Sequence, residues 1–402
     1  MDVQHTKRKI FNDPVYGFVS VPYGLLLDLI DHPYFQRLRR IRQVGLAHYV
    51  YPGALHTRFH HALGALHLMQ QAIEVLRHKG ADITDEEATA ACAAILLHDI
   101  GHGPYSHALE HTIVDMHHEE LSLLFMEALN RHFNGQLDLA IQIFTDKHPK
   151  KFLHQLVSGQ LDMDRMDYLN RDSFFTGVSE GVIGYDRIIK MLAVHEGELM
   201  VEEKGIYSIE KFLIARRLMY WQVYLHKTNV SAEQMVIHLL QRARELALAG
   251  VPLECSRPLH WFLYRDADEQ APVEECIRQF ALLDDVDIAA AIKAWRAADA
   301  PVLRLLSSGL LDRKLFRVEW RTVAVEPEYV QKIRDRALQK FGPDIPLEHL
   351  VFTGSESNQA YDASEEKINI LFKDGRVLPI DECSDVPLYT QVVTKHFICY
   401  PK

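Results

Sequence analysis

The sequence predicts a mainly α fold with a small α+β region at its C-terminal end. From about Pro22 to Ser308, apolar residues recur at three- and four-residue spacing, the period of amphipathic helices. Helix start and stop signals recur through the same stretch. Near Leu315 the spacing changes to the two-residue alternation of strands. No internal repeat, low-complexity tract or long Pro/Gly/Ser linker divides the chain. The expected organisation is a helical core at 1–314, interrupted by a short β insertion near 192–208, and an α+β region at 315–402.

Taken in order, Asn12-Asp13-Pro14 reads as a turn, and Pro22 fits the first position of a helix. Asp31-His32-Pro33 punctuates two helices, and Gly45 closes an arginine-rich one. Between Arg58 and Lys79, Phe59, Ala62, Leu63, Leu66, Met69, Ile73 and Leu76 mark one helical face. Thr84-Asp85-Glu86-Glu87 has the form of a capping box, opening a helix that runs into His98-Asp99. Turns at Glu196-Gly197-Glu198 and Lys204-Gly205 predict the β excursion, with helices resuming from Ile209. Phe316 to Val323 alternates like a strand, and Tyr329 to Phe341 reads as a helix. Further strands are expected at Lys367 to Phe372, Arg376 to Ile380 and His396 to Tyr400.

Of the 402 residues, 48% are hydrophobic and 25% charged, enough apolar material for a sizeable core and too much for a disordered chain. The apolar run Ala90 to Leu97 is far short of the roughly 20 residues that span a bilayer, so no membrane helix is expected. The N-terminal stretch Met1 to Lys9 is basic and leads into the turn without an apolar segment, which predicts no secretory signal and a cytoplasmic location. Five well-separated cysteines, Cys92, Cys255, Cys276, Cys383 and Cys399, argue against a disulfide framework or zinc ribbon and read as buried thiols. A formal charge of −11 argues against stable binding to nucleic acid or anionic lipid. Any anionic ligand therefore needs a local basic site. Arg37, Arg39, Arg40 and Arg42 offer one, although the same pattern equally describes a solvated helix face.

Histidine is the compositional outlier, with 23 residues crowded toward the stretch between His56 and His118. Within it, His98-Asp99-Ile100-Gly101-His102-Gly103-Pro104 sets an imidazole beside a carboxylate at a helix end, then breaks the chain at two glycines. Adjacent helical residues diverge by about 100°, so His98 and Asp99 must straddle any cation and other helices must complete its shell. His61 and Asp164 are the best-placed candidates. Two imidazoles and two carboxylates suit one borderline divalent ion with open positions, whether Fe, Mn, Zn, Ni or Mg.

The order His61, His98-Asp99, Asp164 is that of the HD motif. Together with Phe35-Gln36-Arg37-Leu38-Arg39, Tyr51-Pro52-Gly53-Ala54, His56 to His61, Asp162 to Tyr168 and His226-Lys227, it makes the chain resemble the HD-domain deoxynucleoside triphosphate triphosphohydrolases. The similarity is to dGTPase-like enzymes and to the branch containing the vertebrate SAM-and-HD-domain enzyme. The resemblance implies an HD-domain helical phosphohydrolase core. It implies metal-dependent hydrolysis of dNTPs at the α-phosphate, giving deoxynucleoside and inorganic triphosphate, with Mg accompanying the nucleotide.

By the same resemblance, His61, His98, Asp99 and Asp164 hold the metal. Arg58, Arg165, Tyr168 and Arg216 meet the triphosphate, a sound use of guanidinium because its planar fork donates paired hydrogen bonds. Gln43, Asp172 and Tyr224 surround the sugar, with Tyr224 and Val44 crowding its 2′ position. His107 is the implied acid for the leaving 5′-oxygen, His102 and His118 contact phosphate or orient water, and Glu110 orients His107. The family counterpart of Glu110 is the shorter Asp, and Leu225 replaces a polar residue. Lys9, Asn12, Asp31 and Arg39 match positions that bind activating nucleotide between subunits, which implies a homo-oligomer, dimer or tetramer. Two other readings share the motif: an HD nucleotidase or phosphodiesterase on another nucleotide, and a regulatory module that binds nucleotide without turnover. The set Arg58, Arg165 and Arg216 favours a triphosphate substrate.

Overall fold

Arg8–Asp13 (β1) and Gly17–Pro22 (β2) form an antiparallel hairpin, where the sequence suggested only a turn and a helix start. Asp13 closes it by accepting hydrogen bonds from the Val15 and Tyr16 amides at 2.9 Å. Pro22 ends a strand, and the first helix begins after Gly24, whose φ of 100° excludes it from helical geometry. The computed structural model describes residues 7–105, 112–114, 116–265, 271–359, 361, 366–388 and 391–402.

Helices α1 (Leu25–Asp31) and α2 (Pro33–Gln36) are separated as expected at His32, whose ring accepts the Tyr34 amide while Pro33 fills the first helical position. The arginine-rich segment is one 3₁₀ turn, Arg37–Arg40, in which Arg37 is buried while Arg39 and Arg40 are exposed. Helix α3 (Arg58–His78) buries most of its circumference and packs against α4 (Asp85–Leu97). The capping box at α4 is present: the Thr84 hydroxyl accepts the Glu87 amide, and the Glu87 carboxylate accepts the Thr84 amide. Helices α5 (His118–His132), α6 (Asp138–Phe144), α7 (Lys151–Gln155), α8 (Met163–Thr176) and α9 (Tyr185–Met191) follow. The β excursion is a hairpin of β3 (Leu192–His195) and β4 (Glu198–Glu202), after which helix resumes at Ile206, three residues before the expected point.

Helix α10 (Ile206–Met219) continues into a π-helical turn, Tyr220–Tyr224, before α11 (Lys227–Leu248). Helices α12 (Arg257–Leu263), α13 (Val273–Phe280), α14 (Asp285–Trp295) and α15 (Pro301–Leu311) complete the helical body. The C-terminal part contains β5 (Arg317–Arg321), α16 (Pro327–Phe341), β6 (Phe352–Asn358), β7 (Asn369–Leu371), β8 (Val377–Pro379), α17 (Ile380–Cys383) and β9 (Val393–Tyr400). Strand β6 had no counterpart in the sequence reading. Strands β5, β9 and β6 form an antiparallel sheet, while β7 pairs in parallel with β4, so one sheet takes strands from both parts of the chain. Cys92 and Cys399 are buried, but Cys255, Cys276 and Cys383 are partly exposed, contrary to the expectation of buried thiols throughout. No described helix is long and apolar enough to cross a membrane.

Helix α11 joins the two parts. The Ser231 hydroxyl donates to the Phe316 carbonyl at 2.8 Å, and the His238 ring stacks on Phe352 at 3.8 Å. Burial and the adjacent His349 push His238 down to about 4, against the pull of Glu245, which His349 contacts at 3.1 Å. An unfolded imidazole titrates near 6.5, so between these values the unfolded chain binds more protons than the folded one. Stability from this site is therefore complete above about pH 6.5 and is lost as pH falls toward 4. In urea titrations at pH 7 and 4.5, His238→Phe, which keeps a stacked ring, should lose less stability on acidification than the parent. Equal losses would contradict the assignment.

Candidate metal centre and adjoining cavity

His61 lies in the first turns of α3, His98 at the C-terminal end of α4, Asp99 just beyond it, and Asp164 in the first turn of α8. His61, His98 and Asp99 offer ligand atoms within 4.8 Å of one another. Asp164 joins them, its Oδ1 lying 3.1 Å from His61 Nε2 and 3.4 Å from His98 Nε2. The two imidazole Nε2 atoms face each other at 3.4 Å. His61 Nδ1 donates to Asp167 Oδ2 at 2.8 Å, and His98 Nδ1 donates to the Ile95 carbonyl at 2.7 Å. With each Nδ1 committed as a donor, both Nε2 lone pairs are directed at one point, the tautomer that metal ligation requires. Two neutral imidazoles and two carboxylates therefore fit a divalent cation.

The same cluster without a cation attracts protons. Burial acts to lower His61, but hydrogen bonds to Asp164 and Asp167 outweigh it and raise the imidazole to about 10. Burial would raise Asp164, yet His61 and His98 hold its carboxyl well below the usual range. Asp99 is likewise held down against burial by His102, His98 and Arg58, and Arg58 is ion-paired with it.

Three close approaches fix this geometry. Arg171 on α8 is fully buried, pairing with Asp167 through two hydrogen bonds and with Asp13 of the N-terminal hairpin at 2.7 Å. A Cβ on Gly64 would stand 2.0 Å from Asp167 Oδ1 and 2.1 Å from Arg171 Nη2, so only glycine admits that pair beside α3. A Cβ on Gly101 would meet the His118 carbonyl and the Ser122 amide at 2.3 Å. That contact seats α5 against the motif, where Ser122 donates to the His98 carbonyl and accepts the Gly101 amide. Arg37 is also fully buried: it donates to the carbonyls of Ile100, His102 and Leu283, and burial lowers it to about 9. It is a strut beneath the motif, not part of a basic anion site. Arg40 pairs with Asp284, and the Arg39 guanidinium lies 3.5 Å over the Phe59 ring.

A cavity of about 870 Å3 opens on the C-terminal part. Another, of about 530 Å3, adjoins the cluster, and Arg58 lines it while pairing with Asp99. Gln43, Tyr168, Asp172 and Tyr224 line the same cavity, so five of the seven residues predicted to contact substrate share one wall system. The Tyr224 hydroxyl donates to Asp172 Oδ2 at 2.6 Å, and His56 Nε2 lies 2.7 Å from Asp172 Oδ1. The other two predicted contacts are turned elsewhere: Arg165 bonds Asp162, the N-cap of its own helix, and Arg216 donates to Gln160 at 3.0 Å. His102 is buried, its Nδ1 is 3.2 Å from Asp99 Oδ1, and burial together with Arg58 lowers it to about 3. His118 begins α5, and its ring centroid is 4.0 Å from that of His102. His107 and Glu110 lie outside the described residues. Lys9 and Asn12 are exposed on β1, and Asp31 and Arg39 are exposed beside α1 and α2, away from this cavity's lining.

Sequence reasoning assigned no role to Asp167, Arg171 or His56 and placed Arg37 in a candidate basic site. For the first two a signal existed: Asp164, Asp167 and Arg171 are spaced to share one face of a helix. His56 differs from a default structural histidine in holding the acceptor that Tyr224 also uses.

Residues 183–250 match the model of the HD associated region. The structure superposes on the crystal structure of a phosphohydrolase from Bacteroides thetaiotaomicron with a TM-score of 0.93 and 51% identity, covering 98% of this chain and 100% of that one. An uncharacterized Bacillus subtilis protein, YwfO, is 30% identical over 99% of this chain and 93% of its own length. A Dictyostelium discoideum protein named deoxynucleoside triphosphate triphosphohydrolase SAMHD1 homolog is 30% identical over 63% of this chain and 53% of its own length. Its human namesake is 28% identical over 58% and 44% respectively, so the chain spans about half the length of these two relatives.

Replacing Asp167 by Asn keeps its shape but leaves Arg171 half-paired and His61 Nδ1 with a weaker acceptor. Loss of one partner of a buried ion pair costs about 3–5 kcal/mol, and loss of a partner behind a metal-ligating histidine costs roughly 10–100-fold in affinity. Denaturant unfolding and Mn(II) titration of Asp167→Asn should show both. A variant with parental metal affinity would remove Asp167 from this role.

Proposed function

The chain belongs to the HD-domain phosphohydrolase family, and from that premise we propose that it hydrolyses deoxynucleoside triphosphates at the α-phosphorus, releasing deoxynucleoside and inorganic triphosphate. The observation that carries this reading is the position of Arg58, which belongs both to the cluster, through Asp99, and to the cavity wall. A nucleotide in the cavity thus meets a fixed cation where its phosphates approach the cluster.

His61, His98, Asp99 and Asp164 are the residues that would hold a divalent ion. Such an ion supplies Lewis-acid polarisation of a phosphoryl oxygen and activation of water at neutral pH. The protein residues do the rest. Arg58 neutralises phosphate charge without moving, because Asp99 already orients it. Asp172, fixed by Tyr224 and His56, presents a carboxylate to the sugar, and the Tyr224 ring with Val44 crowds the 2′ position. A ribose hydroxyl there would lose water without gaining a partner. Breaking the bond from α-phosphorus to the 5′-oxygen leaves an alkoxide that needs a proton. We assign that role to His107, as the family resemblance implies, with His102 and His118 contacting phosphate or orienting water and Glu110 orienting His107. Arg165 and Arg216 reach the triphosphate by exchanging Asp162 and Gln160 for phosphate oxygens.

Chromatographic product analysis with each dNTP, in the presence of Mn, Fe, Ni, Zn or Mg, tests this directly. Deoxynucleoside plus intact triphosphate is expected, abolished by EDTA and by Asp99→Ala, and lowered roughly 10- to 1000-fold in Arg58→Ala. Release of monophosphate or single phosphate would place the protein among the HD nucleotidases instead, and nucleotide binding without any product would make it a regulatory module. The proposal extends to a homo-oligomer that assembles when nucleotide binds at Lys9, Asn12, Asp31 and Arg39. Light scattering with and without dGTP should show a mass increase that Arg39→Ala prevents, and an unchanged mass would remove this part of the reading.

A further inference from the structure

Helix α14 opens on two consecutive aspartates with different partners. Asp284 is the N-cap: it accepts the Val286 amide at 2.9 Å, and its own amide donates to Asp287. The Asp285 carboxylate instead reaches two other parts of the chain, Oδ1 accepting the Tyr105 amide at 3.1 Å and Oδ2 the Arg42 amide at 3.0 Å. The residue is only 8% exposed. The helix end that presents it is itself seated, because Arg37 donates to the Leu283 carbonyl and Arg40 pairs with Asp284.

Both bonded amides belong to segments that line the cavity of about 530 Å3. Gln43, Val44, Gly45 and Leu46 follow Arg42, Tyr105 follows the His98-to-Pro104 motif, and Asp285 lies outside the lining. The Arg42 segment is joined to the start of α3, where the Gln43 amide donates to the His56 carbonyl and the Arg58 amide to the Ile41 carbonyl. Tyr105 has a φ of 54° and Gly45 one of 50°, and a Cβ on Gly45 would lie 3.6 Å from the Tyr105 carbonyl oxygen. The two segments therefore abut in left-handed backbone, which a tyrosine keeps only where its surroundings hold it. The bond from its amide to Asp285 is such a hold.

The charged and titratable groups around Asp285 are Arg37, Arg42 and Tyr105 from the facing segments and Asp284 from its own helix. Arg40 is taken up by Asp284, and His48 stands 3.2 Å from the Arg42 guanidinium. Burial raises the Asp285 carboxyl to about 6, against the two amides and Arg42, which favour its charged form. An unfolded aspartate titrates at about 3.9. The folded chain binds this proton more readily, so the stability the site contributes is full below about pH 4 and is lost as pH rises through 6. At neutral pH the charge is thus kept against the preference of the fold, a pattern that clusters at functional sites.

Resting on the nucleotide reading above, we infer that Asp285 is a positioning residue for the nucleotide cavity: its ionised carboxylate draws the Arg42 and Tyr105 amides together, setting the wall at 43–46 against Tyr105, and protonation loosens that wall. A carboxylate offers both oxygens as acceptors, whereas protonation, or replacement by a carboxamide, makes one of the two positions a donor facing an N–H.

Equilibrium binding of dGTP to EDTA-treated parent and Asp285→Asn, between pH 7.5 and 5, tests the inference without requiring turnover. At pH 7.5 the variant should bind dGTP about tenfold or more weakly than the parent, while its Mn(II) affinity, set at the separate cluster, stays parental. The gap should close as pH falls through 6, because the parent then loses the same charge, and comparison at each pH cancels the titration of the nucleotide itself. Should the variant fail to fold, the parent alone decides: hydrogen exchange resolved to single amides should show Arg42 and Tyr105 losing protection on acidification while Arg58 keeps its own. Parental dGTP affinity in the variant, a gap indifferent to pH, Mn(II) affinity falling in step with dGTP affinity, or unchanged amide protection would overturn it. Nucleotide binding that depends on Asp285 without hydrolysis under any metal sinks the hydrolase reading alone. Hydrolysis and binding indifferent to Asp285→Asn sink only this inference, and absence of any nucleotide binding by the parent sinks both.

Discussion

Asp167 is the carboxylate around which the centre is arranged. It is fully buried, and a buried carboxylate is tolerated only with its lone pairs filled by charged or strongly polar donors. Arg171 supplies two of those donors and His61 a third. Three otherwise separate choices follow from that need. Arg171 keeps N–H donors to spare and finds a second acceptor in Asp13 at the end of β1, so the N-terminal hairpin is tied to α8. Gly64 must lack a side chain so that the pair can lie against α3. His61 must present Nε2 inward, because Nδ1 is spent on Asp167. The cluster is thus preorganised from behind, by groups that touch neither cavity nor cation.

What the sequence made legible was whatever is local along the chain. His98 and Asp99 are covalent neighbours, and the capping box at Thr84, the break at His32 and the long periodic helices all announce themselves within a few residues. Asp164 could be paired with them because the order His61, His98-Asp99, Asp164 is that of the HD motif. Asp167 and Arg171 were equally readable from helical spacing, since Asp164, Asp167 and Arg171 fall on one face of α8. Arg37 misled for a different reason: charge pattern carries no information about burial, and its partners are backbone carbonyls that no residue type advertises.

The nonlocal features were beyond that kind of reading. Ile10 and Phe18 of the N-terminal hairpin face solvent, so its strands lack the in-out alternation by which strands are recognised. Glu356 comes to the cavity from a strand placed by the stacking of Phe352 on His238, a contact between distant parts of the chain. The cavity itself exists only once α3, α8, α11 and β6 have assembled.

The parallel pairing of β4 with β7 joins the β3–β4 hairpin from the middle of the helical body to β7 and β8 of the C-terminal part in one four-stranded sheet. A helical body made without those later strands would leave one side of β4 with unmatched amide and carbonyl groups, and an open strand edge is a template for pairing with another chain. On the ribosome, the nascent helical portion therefore passes through an interval in which it is sticky, ended only when the last part of the chain arrives. Folding yield should accordingly depend on how quickly translation finishes, and the order of synthesis becomes a constraint on the architecture in its own right.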